Sequence, residues 1–223
     1  MIGEPLEPVS LAEDAYRRIE EMIVSRALKP GAMISEKKLA EELQCGRTPV
    51  REAVQRLRLE GYIDVHPSRG VQVSSMDVFR QFELLEVRRP LEDLVVRLAA
   101  ERATSAERAA MADLATRFST VAVARDRPAY LATNRAIHQA IARAAHNGIL
   151  ANSIGTIHGL SRRFWYAHIE DEDFFEEAAR LHSRTVKAIV ARDAAGAAAC
   201  ASDFLNFLES LTRKALSDRV EMR

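Results

Sequence analysis

Three stretches of helical periodicity crowd the first sixty residues of the chain. Ala15, Ile19, Met22 and Ile23 form one apolar stripe, opened by Ser10-Leu11-Ala12-Glu13. That opening reads as a capping box, with Ser10 as the cap and Glu13 reaching back to its backbone. Lys29-Pro30-Gly31 ends the helix in a turn. Ser35 caps a second helix, which carries Leu39, Ala40 and Leu43 on one side. Val50, Ala53, Val54 and Leu57 mark a third. Its expected cap is Thr48, with Pro49 in the first helical position, where a missing N–H costs nothing. Gly46 lies in the short link between the last two helices, as a helix-turn-helix requires. At Ile63 the period drops to two. Ile63 and Val65 alternate with polar residues, His66-Pro67-Ser68-Arg69-Gly70 makes a turn, and Val71 and Val73 alternate back, so a β-hairpin is expected.

From Asp77 onward the pattern is helical throughout. Helices are expected near 77–103, 105–125, 128–146, 148–168, 173–192 and 194–218, with breaks at Thr104-Ser105, Asp126-Arg127-Pro128, Asn147-Gly148 and Asp193. Six helices of that length can close into a bundle around a cavity. Pro90 falls inside the first of them and is expected to kink or divide it. The predicted fold is mainly α: a winged helix-turn-helix over residues 1–76, with a small β-hairpin wing, then an all-helical six-helix bundle over residues 77–223.

Charge narrows the function. The chain has 32 Lys and Arg against 32 Asp and Glu, so its net charge is zero. Such balance argues against indiscriminate coating of nucleic acid and leaves room for a local basic face. Arg47, Arg51 and Arg58 sit opposite the apolar side of the third helix, where a cationic N-terminal end suits a DNA major groove. Arg69, at the hairpin tip, suits a minor groove or a phosphate. The two cysteines, Cys45 and Cys200, fall in different predicted domains without a pairing pattern, which points to a reducing, cytoplasmic setting. No apolar run approaches a membrane span. No glycine-rich phosphate loop or nucleophile–base pair stands out, so catalysis is the weaker class.

The phrase Gly46-Arg47-Thr48-Pro49-Val50-Arg51-Glu52-Ala53-Val54 through Leu57, then Glu60-Gly61-Tyr62-Ile63, resembles the recognition-helix signature of the GntR family of bacterial transcription regulators. The resemblance covers residues 11–75. It implies that Arg47, Thr48 and Arg51 contact DNA, beside the wing residues Arg69 and Gly70 and the start of the second helix, Ser35 and Lys37. The family usually has Ser where this chain has Gly46, so one hydroxyl contact is missing.

Residues 77 to about 216 resemble the all-helical FCD effector domain of the FadR subgroup. The supporting phrases are Leu84-Leu85-Glu86-Val87-Arg88-Arg89-Pro90-Leu91-Glu92, then Asn134-Arg135-Ala136-Ile137-His138 with Asn147, then Leu181-His182-Ser183-Arg184. Such domains usually bind a small carboxylic acid, often through a divalent, zinc- or nickel-like metal, and form homodimers on pseudo-palindromic double-stranded operator DNA. The family's ligand set is an Asp, a His one turn later and two further histidines. In this chain those positions hold Asn134, His138, His182 and Phe204, and Phe cannot coordinate. A degraded metal site is therefore expected, with His158 or Asp203 as substitute ligands. Two histidines on apolar helix faces also have a plainer reading as hydrogen-bonded core residues.

By the same resemblance Arg88 faces the cavity, where a guanidinium grips a carboxylate with two parallel hydrogen bonds. The alternative is a structural bridge to Glu92, one turn on. Arg162 or Arg163, near Phe164 and Trp165, would complete an effector pocket. The leading reading is a ligand-responsive regulator, a repressor by family habit. A constitutive DNA binder, its cavity filled by Phe204 and apolar neighbours, is one alternative, and a metal-dependent helical enzyme is the remoter one.

Overall fold

The computed structural model describes residues 10–66, 70–75, 77–168 and 173–221, and the chain divides into two units, Met1–Met76 and Asp77–Arg223. In the first unit α1 (Leu11–Val24), α2 (Glu36–Leu43) and α3 (Arg47–Leu59) bury Ile19, Ile23, Leu39, Leu43, Val50, Val54 and Leu57 together. These are the predicted stripes, and burying their apolar area holds the three short helices in place, since none would be stable alone. Only half of the expected capping box forms. Ser10 Oγ accepts the Glu13 backbone N–H at 3.1 Å. The Glu13 carboxylate turns away to Arg17 at 2.8 Å and Arg56 at 2.7 Å, because two guanidinium partners outweigh one backbone donor.

The start of α3 also differs from expectation. Gly46, in extended conformation at φ −67° and ψ 159°, is the cap, and it supplies no side-chain hydrogen bond. Thr48 and Pro49 are therefore the second and third helical residues. Proline is still tolerated there because the N–H groups of the first turn have no partner within the helix.

Among the described residues three antiparallel strands complete the unit in the order β1-β3-β2, with β1 Met33–Ile34, β2 Ile63–His66 and β3 Gly70–Val73. The hairpin register pairs Ile63 with Val73 and His66 with Gly70. β1 went unread in the sequence, since two residues are too few to show alternation; it pairs Met33 with Gln72 and Ile34 with Val71.

The second unit consists of α4 (Val78–Arg102), α5 (Ser105–Val123), α6 (Arg127–Ala144), α7 (Gly148–His168), α8 (Asp173–Val190) and α9 (Ala194–Glu221). α4 packs on α9, α6, α7 and α8, while α5 lies against α6 and α8. Val95, Val96, Phe118, Ile137, Ile154, Ile189 and Leu208 fill the centre. Pro90 does not divide α4. The ring and the Glu86 carbonyl it would otherwise bond both belong to exposed residues, so water can take the vacant acceptor.

Candidate functional site

The first unit presents two helix N-termini and a strand end on one surface. Ser35 Oγ caps α2 by accepting the Lys38 backbone N–H at 3.1 Å. Lys37 projects into solvent, 3.9 Å from Glu41. Arg47, Thr48 and Arg51 are exposed on the opposite side of α3 from the buried Val50, Ala53 and Val54. Arg51 Nε lies 3.3 Å from Glu36 Oε2, which ties the first residue of α2 to the first turns of α3.

Gly70 closes the group. Its φ is +103°, and a Cβ there would stand 2.7 Å from the Ile34 carbonyl oxygen and 3.9 Å from Ser35 Cα. No other residue fits both restraints, so the base of the hairpin is locked beside the start of α2. Arg69 lies outside the described residues. Unpaired N–H groups and the helix dipole make each of these N-termini attractive to phosphate. Arg56, by contrast, is occupied by Glu13 and Glu60 and lies 3.7 Å over the Tyr16 ring, a structural role.

In the second unit a cavity of ≈ 40 Å³ is walled by Arg88 from α4, Asn134 and His138 from α6, Trp165 from α7 and Phe204 from α9, among others. Arg88 is only 2% exposed. Its Nε donates to Glu92 Oε2 at 2.7 Å and its Nη1 to Ser161 Oγ at 3.0 Å, while Nη2 has no hydrogen-bond partner among the described residues. Of the two sequence readings of this arginine, the bridge to Glu92 is the one that forms. Burial alone would raise the Glu92 carboxyl, but the charges of Arg88 and His158 outweigh it and hold the group well below the usual carboxylate range.

Two buried histidines, His138 and His158, share this wall, and a third, His182, is buried against His138. His138 Nε2 and His182 Nε2 are 3.0 Å apart, His182 Nδ1 is 2.9 Å from the Ala178 carbonyl oxygen, and His158 Nε2 is 3.0 Å from Glu92 Oε2. Burial pushes all three imidazoles down, His182 to about 4. Asn134 Oδ1 and His138 Nδ1 are buried without hydrogen-bond partners among the described residues.

Asn134, His138, His182 and Phe204 do come into one neighbourhood, with the Phe204 ring 4.2 Å from that of His182. The set does not make a full metal shell. A phenyl ring fills the fourth place, and the facing nitrogens of His138 and His182 already satisfy each other. A different trio, Glu92, His138 and His158, has potential ligand atoms within 4.8 Å of one another. His158 was legible as a substitute ligand, but Glu92 was hidden by its bridge to Arg88. Asp203 is not a substitute: it pairs with Arg184 at 3.1 Å, partly exposed. Arg162 lines the cavity, whereas Arg163 is buried and is not among its lining residues.

Two family profiles match the chain, one for bacterial regulatory proteins of the gntR family over residues 11–73 and one for the FCD domain over residues 83–207. The protein is a GntR-family regulator with an FCD domain. It is 27% identical over 203 residues to the HTH-type transcriptional regulator McbR of Escherichia coli K12, covering 90% of this chain and 91% of that one. The solved structure of E. coli McbR/YncC superposes with a TM-score of 0.80 at 25% identity, over 93% of this chain and 99% of that one. The Nta operon transcriptional regulator of Aminobacter aminovorans is 40% identical over 92 residues, 41% of this regulator but only 44% of its relative's length. These relatives are transcriptional regulators, not enzymes. Among the described residues of the regulator no helix is long and apolar enough to cross a membrane.

Proposed function

We propose that the regulator is a cytoplasmic repressor that binds a pseudo-palindromic operator as a homodimer and responds to a small carboxylic acid held in the helical unit. DNA is read by Arg47, Thr48 and Arg51, with Ser35, Lys37, Gly70 and Arg69 positioning the backbone. The observation that carries the effector half is Arg88 Nη2: a donor on a buried guanidinium, in the wall of a cavity and without a hydrogen-bond partner among the described residues. A buried donor left unpaired costs about 1–3 kcal/mol, which a carboxylate oxygen removes. Glu92 and Ser161 fix the rest of the group, so it is oriented before the acid arrives.

Unsatisfied polar atoms in the wall also weigh against a constitutive DNA binder whose cavity is merely filled. Metal content, measured on untagged protein purified without chelator, should be well below one ion per chain; one ion per chain would assign Glu92, His138 and His158 a ligand role instead.

The DNA half is tested by selecting duplexes from a random pool and measuring affinity by fluorescence anisotropy. Arg51→Ala should lower affinity for the selected duplex by about 1–3 kcal/mol and relax preference at one base position. An unaltered base preference would remove Arg51 from the readout.

A further inference from the structure

The outward face of α3 carries Arg47, Arg51 and Arg58, and Lys37 lies in the first turn of α2. Among the described residues Arg51 is the one cation of this group paired with a carboxylate from another element, Glu36, the first residue of α2. Lys37 faces Glu41 on its own helix.

The Arg51–Glu36 pair does little for the fold. Its side chains are 66% and 31% exposed, and an ion pair so open to water contributes little to stability. α2 and α3 already share a core that includes Leu39, Leu43, Val50 and Val54. What the pair fixes is direction. Arg51 Nε lies 3.3 Å from Glu36 Oε2, and neither terminal nitrogen of Arg51 makes a hydrogen bond among the described residues. A guanidinium carries its N–H groups in a flat fork. With Nε turned to the carboxylate, the edge made by Nη1 and Nη2 is left open, and that edge matches the O6 and N7 acceptors of guanine.

Glu36 is itself held in place. Ser35 Oγ accepts the Lys38 backbone N–H at 3.1 Å, and the close approach of Gly70 to the Ile34 carbonyl and Ser35 Cα fixes the chain just before it. At the first position of α2 a carboxylate also suits the positive end of the helix dipole. Support therefore runs from β3 through Ser35 to Glu36, and from there to Arg51.

DNA of the wrong sequence still offers phosphates, to which an unrestrained arginine swings readily. Glu36 opposes this twice. It competes for the guanidinium, and its own charge repels a phosphate that approaches the pair.

We propose that Glu36 is a positioning residue that sets DNA specificity: it aims Arg51 at a guanine and withholds it from phosphate. This rests on the base-reading role proposed above for Arg51 and names the residue that makes that role selective.

The test uses full-length wild type, Glu36→Gln, Arg51→Ala and the double variant. Each is titrated by fluorescence anisotropy on the duplex selected by the wild type and on a scrambled duplex of equal length, across a potassium chloride series. Glu36→Gln keeps the shape of the side chain and removes its charge. It should bind the scrambled duplex about three- to tenfold tighter and gain little on the selected one, so discrimination falls by a similar factor. On the scrambled duplex its plot of log affinity against log salt should steepen by about 0.9 for each reading unit, the slope of one added phosphate contact. A fresh selection with Glu36→Gln should lose preference at the same base pair that Arg51→Ala relaxes.

With Arg51 gone there is nothing to hold, so adding Glu36→Gln to Arg51→Ala should change neither discrimination nor slope. Equal gains in both backgrounds would show Glu36 acting through its own charge alone and would overturn the positioning role. Unaltered discrimination in Glu36→Gln, with Arg51→Ala still relaxing one base pair, would also overturn it and leave the reading role of Arg51 standing. A base preference that survives Arg51→Ala intact would overturn both.

Discussion

Arg88 is a structural element, and the proposed function gives the same side chain a binding role. Its buried bridge to Glu92, at 2.7 Å, makes any simple deletion ambiguous. Arg88→Ala leaves Glu92 charged and buried with only His158 beside it, and such an orphaned charge costs about 3 kcal/mol or more. The expected result is a clear fall in thermal midpoint together with loss of acid response. Replacing both partners, Arg88→Leu with Glu92→Leu, removes the uncompensated charge. That double variant should recover most of the lost stability in chemical denaturation and still fail to respond to an acid. A double variant as unstable as Arg88→Ala would show that packing at this point matters more than charge. The sequence could carry only part of this. The i, i+4 spacing of Arg88 and Glu92 was legible, whereas His158 and Ser161, about seventy residues away, join the network only through the tertiary fold.

At the scale of elements, the apolar stripes gave the helices because burial along one face is a local property of the sequence. The ends of the helices were harder, since capping is settled by competition among nearby donors and acceptors. Glu13 left its cap for Arg56, which lies on another helix, and β1 exists only because β3 offers it an edge. The start of α3 turns on Gly46, whose extended backbone lets the helix begin one residue before Thr48. Gly46 has a φ of −67°, which any residue adopts, and a Cβ there would touch only Pro49, at an ordinary 3.5 Å. Gly46→Ser should therefore be accommodated without strain and add a side-chain acceptor for the first turn. Its gain in stability should be small, a few tenths of a kcal/mol, because glycine is itself a fair cap. Differential scanning calorimetry would detect this as a rise of a degree or so. A fall in midpoint would mean that the α2–α3 turn depends on the missing Cβ.

At the scale of the whole molecule, the proposed homodimer needs a surface that joins its two DNA-reading units. α4 is packed on several helices, yet it leaves Phe79, Val87, Pro90 and Leu94 exposed within a narrow arc. Phe79 and Val87 are more than half accessible, at 68% and 54%, and Leu94 is 42% accessible. A stripe of this kind on a long helix of the effector unit is suited to a second copy of itself, because a two-fold axis places the same apolar residues on both sides. Dimerisation there would let a change in the effector unit alter the separation of two recognition helices, which on an operator must lie roughly 34 Å apart. Leu94→Glu places a charge at one end of the stripe while leaving the bundle core untouched. The expected outcome is a monomer by light scattering after size exclusion, with circular dichroism unchanged. Affinity for a palindromic duplex should then fall towards that for a single half-site, since the second unit no longer arrives tethered to the first. A dimer of undiminished stability in that variant would move the interface elsewhere on the molecule, and with it the route by which the proposed effector beside Arg88 would alter DNA binding.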